Sequence, residues 1–176
     1  MSTNKTVMLA LIPLVAGLAV INPGVAAPSI AIDETAPIIS RHDIDIDATA
    51  EEVWAIQTEI NAWPLWRSKV TSASFTDSLK VGSSFDWEDS GLQITSTIQE
   101  IERNRRIVWT GPAQGIFAVH VWEFTPTATG VHVHTEESWA GEGLEAQAEY
   151  LQPLLDQSLV EWLDLLKARS EATQAK

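Results

Sequence analysis

Hydrophobic and polar residues recur with a clear period along most of the chain, and the period changes at identifiable points. Residues 41–47 alternate aspartates with isoleucines, which predicts a half-buried strand. Thr49 is followed by Glu52 and then by apolar positions, and this capping box predicts an amphipathic helix to about Asn61. Residues 32–37 contain a proline and no periodicity, so we expect a flexible lead there.

The following stretch, as far as Trp139, has the pattern of strands separated by short turns. Six strands are predicted, at residues 70–75, 84–88, 92–102, 106–110, 116–125 and 131–139. Gly, Asn, Asp, Ser and Pro mark the breaks between them, including Gly111-Pro112 and residues 126–130. Because the links are short, an antiparallel meander is the most economical topology.

The last predicted element is a long helix. Most leucines from 151 to 166, together with Trp162, lie on one broad arc, and acidic residues occupy the opposite side. The order strand, helix, six strands, helix predicts an α+β fold in which a seven-stranded antiparallel curved sheet wraps the long C-terminal helix. A curled sheet and one helix leave space between them, so we expect an internal cavity.

The N-terminal segment has a different composition. An apolar run at 7–21 follows Lys5, Asn-Pro-Gly breaks it, and small residues come next, which is the pattern of a secretory signal peptide over residues 1–31. Cleavage after Ala26 or Ala31 avoids placing Pro28 directly behind the cut. We therefore expect an exported protein, periplasmic or extracellular, without a stable membrane span after cleavage. The alternative is an anchor formed by the uncleaved segment.

Composition narrows the functional classes. The chain of 176 residues carries 11 Lys and Arg against 24 Asp and Glu, a net charge of −13, which argues against a nucleic-acid partner. It contains no Cys, which excludes disulfides, thiolate metal sites and Cys nucleophiles. A Gly-rich phosphate loop followed by a helix and a His-Glu-x-x-His motif are both missing. We therefore expect neither a metal nor another cofactor.

Several stretches resemble the START-like (SRPBCC) superfamily, and within it the polyketide cyclase/dehydrase branch. They are the Asp-Ala-Thr-Ala-Glu-Glu-Val-Trp of 47–54, the Trp-Pro-Leu-Trp of 63–66, and residues 81–87, 106–111, 120–126 and 135–139. The resemblance runs over nearly the whole of a ligand-binding domain at 38–172. It implies a helix-grip fold with a hydrophobic cavity, in a group that includes aromatase/cyclases and lipid or quinone binders. It supplies no invariant catalytic residues.

Strand parity identifies the side chains that would line such a cavity. The predicted ligand-binding residues are Trp87, Trp109, His120, Trp122, Thr135, Glu137 and Trp139 from the strands, Ser158 from the last helix, and Arg67 at the mouth. A few polar groups on an aromatic wall is typical of a small-molecule site. The alternative is that each Trp fills the core, which is the role we expect for Trp54 and Trp162.

His120 and Glu137 are the candidate catalytic residues. If residues 126–130 close a hairpin that places Phe124 near Val131, His120 lies near Thr135 and diagonally from Glu137. Glu137 would raise the pKa of His120, and the pair could then abstract a proton next to a carbonyl, as a cyclase requires. The alternative is a satisfied buried pair that orders the sheet.

Arg67, with Lys69 close behind, could attract an anionic or enolate oxygen at the cavity mouth, or could be a solvated loop charge. His132 and His134 share the opposite face of their strand with Glu136; they could ligate zinc, but a surface position is the simpler interpretation.

Phe117, Val119 and Val121 form an apolar ridge on the outer face of the predicted sheet. The ridge suggests a dimer contact or membrane contact, unless the parity is wrong.

These observations lead to one main hypothesis and two alternatives. The main hypothesis is an exported single-domain protein that binds a hydrophobic or aromatic small molecule, such as a lipid, quinone or polyketide, in an internal cavity. The first alternative is a cofactor-free polyketide cyclase/dehydrase-type enzyme that uses His120 and Glu137 for proton transfer. The second is a scaffold with a closed cavity whose outer ridge binds a partner.

Overall fold

A computed structural model describes residues 29–174. The predicted signal peptide and the bond after Ala26 lie outside these residues, apart from positions 29–31. The elements in chain order are β1 (Ile38–Ile46), α1 (Ala50–Thr58), β2 (Val70–Ser74), β3 (Ser84–Asp89), β4 (Leu92–Glu102), β5 (Arg106–Ala113), β6 (Ile116–Pro126), β7 (Val131–Ala140) and α2 (Ala148–Gln174). Short 3₁₀ helices lie at Ile60–Leu65 and Leu144–Gln147.

The seven strands form one antiparallel sheet in the order β1-β7-β6-β5-β4-β3-β2, and α2 packs across it, chiefly against β1. The predicted α+β class and helix-grip architecture are confirmed. Between sheet and helix lies the main core, built from the inward-facing residues of β3 to β7, from α1 and from the second half of α2. Within the described range, no helix is both long enough and apolar enough to cross a membrane.

The capping box starts α1 as the sequence predicts. The backbone N–H of Glu52 donates to Thr49 Oγ1 at 3.3 Å, and the Thr49 N–H donates to the Glu52 carboxylate at 3.0 Å. The helix ends at Thr58, earlier than expected, and the chain continues as the 3₁₀ helix Ile60–Leu65. That tight turn buries Trp63 and leads directly to Arg67.

The hairpin between β5 and β6 turns later than the sequence predicts. Gly111-Pro112 does not end β5; both residues still pair with β6. The turn is Gln114-Gly115, whose φ values of 48° and 85° fit a two-residue hairpin loop. Pro112 is tolerated within the strand because the pairing of β5 with β4 ends at Thr110, so no ladder hydrogen bond is lost on that side.

The β6–β7 hairpin has a different register from the expected one. The strands extend to Pro126 and Val131, and Thr127 N–H donates to Gly130 O at 2.9 Å across a four-residue loop. Phe124 therefore lies opposite Val133 rather than Val131. A shift of two residues preserves which face each side chain occupies, so the predicted inner face remains correct.

The segment expected to be a flexible lead lies against the outer face of the sheet. Ile32 is buried and packs with Val108 and Val121. Just before this segment, within the predicted signal peptide, the Ile30 N–H donates to the Glu100 carboxylate at 2.7 Å, and Arg106 Nη2 donates to Ile30 O at 2.6 Å. This cover removes Val121 from solvent, so the outer ridge is exposed mainly at Phe117. A dimer through this ridge remains a prediction.

Side chains of α2 cover the free edge of β1. Gln152 accepts from the Ile39 N–H at 3.2 Å and donates to the Ile39 carbonyl at 2.9 Å, as a neighbouring strand would. Ser40 donates to Asp156 at 2.5 Å. These bonds protect the edge and fix α2 in position along the sheet, which determines where its later residues meet the core.

Candidate functional site

A cluster of aromatic rings fills the space between the sheet and the second half of α2. At its centre is Trp162 from α2, whose ring centroid lies 5.1 Å from Trp122, 5.2 Å from Trp63, 5.3 Å from His120, 5.8 Å from Trp87 and 6.2 Å from Trp109. The edge-on and tilted arrangements are those that aromatic rings prefer. The expected open hollow is therefore occupied, at this level of the fold, by the protein's own side chains.

A narrow crevice remains beside this cluster. Its volume is about 10 Å³, and it is lined by Arg67, Lys69, Ser158, Glu161, Trp162 and Leu165. That volume holds roughly one water molecule. A larger depression of about 380 Å³ lies elsewhere on the surface, lined by Asp45, Ile46, Asp47, Thr127, Thr129 and Lys167, and no aromatic residue lines it.

His120 and Glu137 lie directly opposite each other on β6 and β7, not diagonally as expected. His120 Nδ1 is 3.2 Å from Glu137 Oε2, and both side chains are largely buried. The other carboxylate oxygen, Oε1, accepts from Trp139 Nε1 at 2.7 Å. The other imidazole nitrogen of His120, Nε2, is 2.9 Å from Thr135 Oγ1.

The Thr135 hydroxyl determines the tautomer of His120. Its single proton is donated to the Val121 carbonyl at 3.0 Å, so it can only accept from His120 Nε2–H. In the neutral imidazole, Nδ1 therefore carries the lone pair that faces Glu137 Oε2. When the pair holds a proton, that proton lies between the two side chains, either on the carboxyl group or on Nδ1.

Burial decides where that proton resides. It raises the pKa of Glu137 to about 7, against the opposing effects of the Trp139 hydrogen bond and the positive charge of Arg67. Burial, together with Arg67, holds the pKa of His120 well below the usual 6.5. The expectation that Glu137 raises the pKa of His120 is therefore wrong. Both shifts favour the form in which His120 is neutral and Glu137 carries the proton.

Arg67 is the residue whose position differs most from a solvated loop charge. It is only 4% exposed, and its Nη2 donates to Asp89 at 2.8 Å. Its guanidinium carbon lies 3.3 Å from the centre of the Trp162 ring, a cation–π contact. Burial lowers the pKa of Arg67 to about 10, although Asp89, Glu161 and Glu137 oppose the shift. Arg67 is thus charged at neutral pH.

An ion pair bridges the crevice. Lys69 Nζ, just after Arg67 in the chain, contacts the carboxylate of Glu161, which precedes Trp162 on α2. Both side chains are partly exposed, at 45% and 33%. Exposed pairs of this kind add little stability and break readily. The Lys69–Glu161 pair is therefore a weak contact that spans the crevice next to Arg67.

Three buried donors near Trp162 have no acceptor among the described residues. They are Arg67 Nη1, Trp122 Nε1 and Gln57 Nε2. Gln57, on α1, is fully buried and uses its Oε1 to accept from Trp162 Nε1 at 3.1 Å. Unsatisfied buried donors are uncommon in native proteins and call for an explanation.

The predicted site residues fall into three places. Trp87, Trp109 and Trp122 belong to the aromatic cluster, with His120 and Thr135 behind them and Arg67 and Ser158 at the crevice. Glu137 joins this group to Trp139, which packs instead on a second core patch with Ile38, Leu144, Leu155 and Leu159. Trp54 is core, in edge contact with Phe124.

The central position of Trp162 in the aromatic cluster was not predicted from the sequence. The contributions of Trp63, Gln57, Asp89 and Glu161 to the site were not predicted either. The only signal for Trp162 was its place on the apolar arc of the helix, which every core residue of α2 shares.

His132 and His134 lie on the outer face and bind carboxylates. His134 Nδ1 is 2.7 Å from Asp43, and His132 Nδ1 is 2.8 Å from Asp45. Among residues 29–174, no group of His, Asp and Glu has the arrangement of a metal site. The ion pairs with Asp45 and Asp43 outweigh partial burial and raise the pKa of His132.

Comparison with known structures places this architecture in the START-like helix-grip class. A hypothetical protein, jhp0584 from Helicobacter pylori, matches with a TM-score of 0.70 at 18% identity, over 83% of this chain and 99% of its own. A START superfamily protein from Mycobacterium smegmatis matches with a TM-score of 0.61 at 12% identity, over 77% and 98%. The di-domain ARO/CYC StfQ of the steffimycin biosynthetic pathway matches with a TM-score of 0.65 at 17% identity, over 80% of this chain and 53% of StfQ.

The model of the family "Polyketide cyclase / dehydrase and lipid transport" matches residues 37–171. The chain therefore belongs to that family. Comparison with curated protein sequences gives no significant match.

The raised pKa of Glu137 predicts a pH-dependent stability. Between pH 4.5 and about 7 the folded protein holds a proton that the unfolded chain releases, so stability falls as the pH rises through this range. Glu137→Gln mimics the protonated acid and does not titrate. We expect its unfolding free energy, relative to wild type, to increase by up to about 3 kcal/mol from pH 4.5 to pH 8.

Urea denaturation of both proteins across this range measures the difference. The contribution of His120 has the opposite sign, and because its Nδ1 contacts Glu137, it reduces the difference only as far as the substitution changes the pKa of His120. Glu136→Gln, one residue away on the outer face, is the matched control. If the difference in unfolding free energy between wild type and Glu137→Gln stayed constant from pH 4.5 to pH 8, Glu137 would not be held protonated in the folded protein.

Proposed function

We propose that the protein binds a hydrophobic, aromatic small molecule that carries an oxygen acceptor, with Arg67 as the polar anchor. The observation that carries the proposal is the buried guanidinium of Arg67, whose Nη1 has no acceptor among the described residues. A charge removed from water is costly unless every donor is satisfied. A site that keeps such a donor beside aromatic rings is suited to an aromatic carboxylate, phenolate or enolate.

The family supports this proposal at the level of chemical class. Its description joins polyketide cyclases and dehydrases with lipid transport, activities whose ligands are hydrophobic and oxygenated. Because the crevice of about 10 Å³ is too small for such a ligand, binding requires side chains around Trp162 to move. The weak Lys69–Glu161 pair is the part of the wall that opens at least cost.

The binding test uses 2-naphthoate, an aromatic carboxylate, as probe. We expect millimolar 2-naphthoate to raise the melting temperature of the wild-type protein by mass action. Arg67→Lys keeps the charge opposite Asp89 but loses the planar guanidinium with its paired donors. We therefore expect calorimetry to give a dissociation constant for 2-naphthoate at least tenfold larger than that of the wild type. Arg105→Lys, at an exposed arginine paired with Glu102, should bind as wild type does.

Two results would contradict the binding proposal. One is the failure of 2-naphthoate, 2-naphthol and palmitate alike to shift the melting temperature. The other is equal loss of binding in Arg67→Lys and Arg105→Lys, because a general charge effect would then explain the affinity.

A second candidate function is proton transfer next to a carbonyl, as in a polyketide cyclase or dehydrase. The close approach of His120 Nδ1 and Glu137 Oε2, 3.2 Å apart, favours it. With a pKa of about 7, Glu137 is partly ionised at neutral pH and suits a general base. The Glu137 carboxylate would take the proton from the carbon, and the electron pair would move to the carbonyl oxygen, where Arg67 stabilises the enolate.

Deuterium exchange into 1-phenyl-1,3-butanedione measures this activity without any later ring closure. We expect the protein to accelerate exchange at the carbon between the two carbonyls, with a rate that rises with pH around a midpoint of about 7. Glu137→Gln should abolish the acceleration while it retains binding of the diketone. Undiminished exchange in that variant would rule out Glu137 as the base.

We propose, in addition, that the protein is exported after cleavage following Ala26. The sequence of the N-terminal segment supports export. The backbone bonds of Ile30 and the burial of Ile32 support cleavage well before them, because a new terminus at Ile32 would remove the first and place a charged amine beside the second.

The mass of the mature protein tests this processing. We expect the intact mass from a periplasmic extract or culture medium to correspond to a chain that begins at Ala27. A chain that begins at Ile32 would contradict the predicted site, and full-length protein in the membrane fraction would favour the uncleaved anchor.

A further inference from the structure

The residues around Trp162 resemble a binding site for a flat aromatic ligand. Five aromatic rings, those of Trp63, Trp87, Trp109, His120 and Trp122, lie around its indole. The guanidinium of Arg67 covers one ring face at 3.3 Å. Aromatic walls with a cation on the ring face are a typical recognition environment for a delocalised anion or a polarised aromatic ring.

The polar groups around Trp162 fit an acceptor better than they fit an indole. An indole offers one donor and no acceptor, and that donor is already bound by Gln57 Oε1. The same surroundings contain the three unsatisfied donors, on Arg67, Trp122 and Gln57. The indole satisfies none of them. A ring of similar size with oxygen substituents could accept from these donors and occupy the same space.

The position of Trp162 also gives it a route outwards. It forms one wall of the crevice, next to Ser158 and Leu165 on the same helix. The carboxylate of Glu161, the preceding residue, contacts Lys69 across the crevice, and both side chains are partly exposed. Release of the indole would need that pair to break and the Trp162 side chain to change rotamer.

We propose that Trp162 is a plug: its indole occupies the subsite that takes the ring system of the ligand, and the ligand is a two-ring aromatic with oxygen acceptors. This inference rests on the proposed function and narrows it to a substrate class. The size of the ring system follows from the indole that it replaces. The acceptors follow from the donors on Arg67, Gln57 and Trp122 that the indole leaves unsatisfied.

Nuclear magnetic resonance of the full chain tests the plug in the wild-type protein. The Trp162 indole N–H signal is assigned by its loss in Trp162→Phe. We expect 2-naphthoate to shift this signal strongly, because the bond to Gln57 breaks, while the Trp54 signal remains in place. Saturable binding of 2-naphthoate with an unmoved Trp162 signal would overturn the plug and leave the binding function standing.

Affinity provides an independent measurement. A ligand that must displace Trp162 binds with an affinity reduced by the small fraction of open protein. We expect Trp162→Ala to bind 2-naphthoate at least tenfold more tightly than the wild-type protein does. The same variant should bind 2-naphthoate at least tenfold more tightly than it binds 2-methylnaphthalene, which has no oxygen acceptor. Trp162→Leu, a milder change, should show the same direction if the alanine variant does not fold.

Trp54→Ala is the matched control, because it removes an indole from the same core that does not contact Trp162 among the described rings. It should bind 2-methylnaphthalene as well as 2-naphthoate, since the Arg67 guanidinium lies against the rings of Trp63, Trp87 and Trp162 and not against that of Trp54. Equal gains for 2-naphthoate in both alanine variants would overturn the plug, because any cavity would then suffice. Absence of binding in wild type and in every variant would instead overturn the proposed function.

Discussion

The contact on which the site depends is the stacking of the Arg67 guanidinium on the ring of Trp162. A charge at this depth would be expelled in a simple hydrophobic core, because desolvation exceeds what a single ion pair returns. Here Asp89 neutralises it on one side and the π-face of Trp162 supports it on the other. The guanidinium in turn influences both members of the His120–Glu137 pair, so all three ionisable groups form one electrostatic unit.

That unit is held by elements at some distance from it. Gln152 binds the backbone of β1 and fixes α2 along the sheet, and this placement brings Trp162 over Arg67. The tight 3₁₀ helix after α1 buries Trp63 and delivers Arg67 inward rather than to solvent. On the far side, Ile32 covers Val108 and Val121, so β6 is covered on both faces next to His120.

The family resemblance in the sequence implies a hydrophobic cavity, yet this protein fills the expected space with its own rings. The ring centroids of Trp63, Trp109 and Trp162 lie 5.2 to 6.2 Å apart. The crevice beside Trp162 has room for about one water molecule. Aromatic packing of this density stabilises the closed form, and unsatisfied donors on Gln57, Trp122 and Arg67 oppose it. Under the proposed function, the balance between these two terms decides whether a ligand can open the site.

Local pattern was sufficient to predict the elements, their order and the inner face of each strand, because alternation and capping are properties of neighbouring residues. The capping box at Thr49 and the strand parity that groups Trp122 with His120 are examples.

Quantities that depend on distant contacts could not be predicted in this way. The register that sets His120 opposite Glu137 depends on loop length, and the burial of Ile32 depends on a sheet formed later in the chain. Whether the cavity is open depends on how the side chains from five elements fill one volume, and only the tertiary structure brings those side chains together.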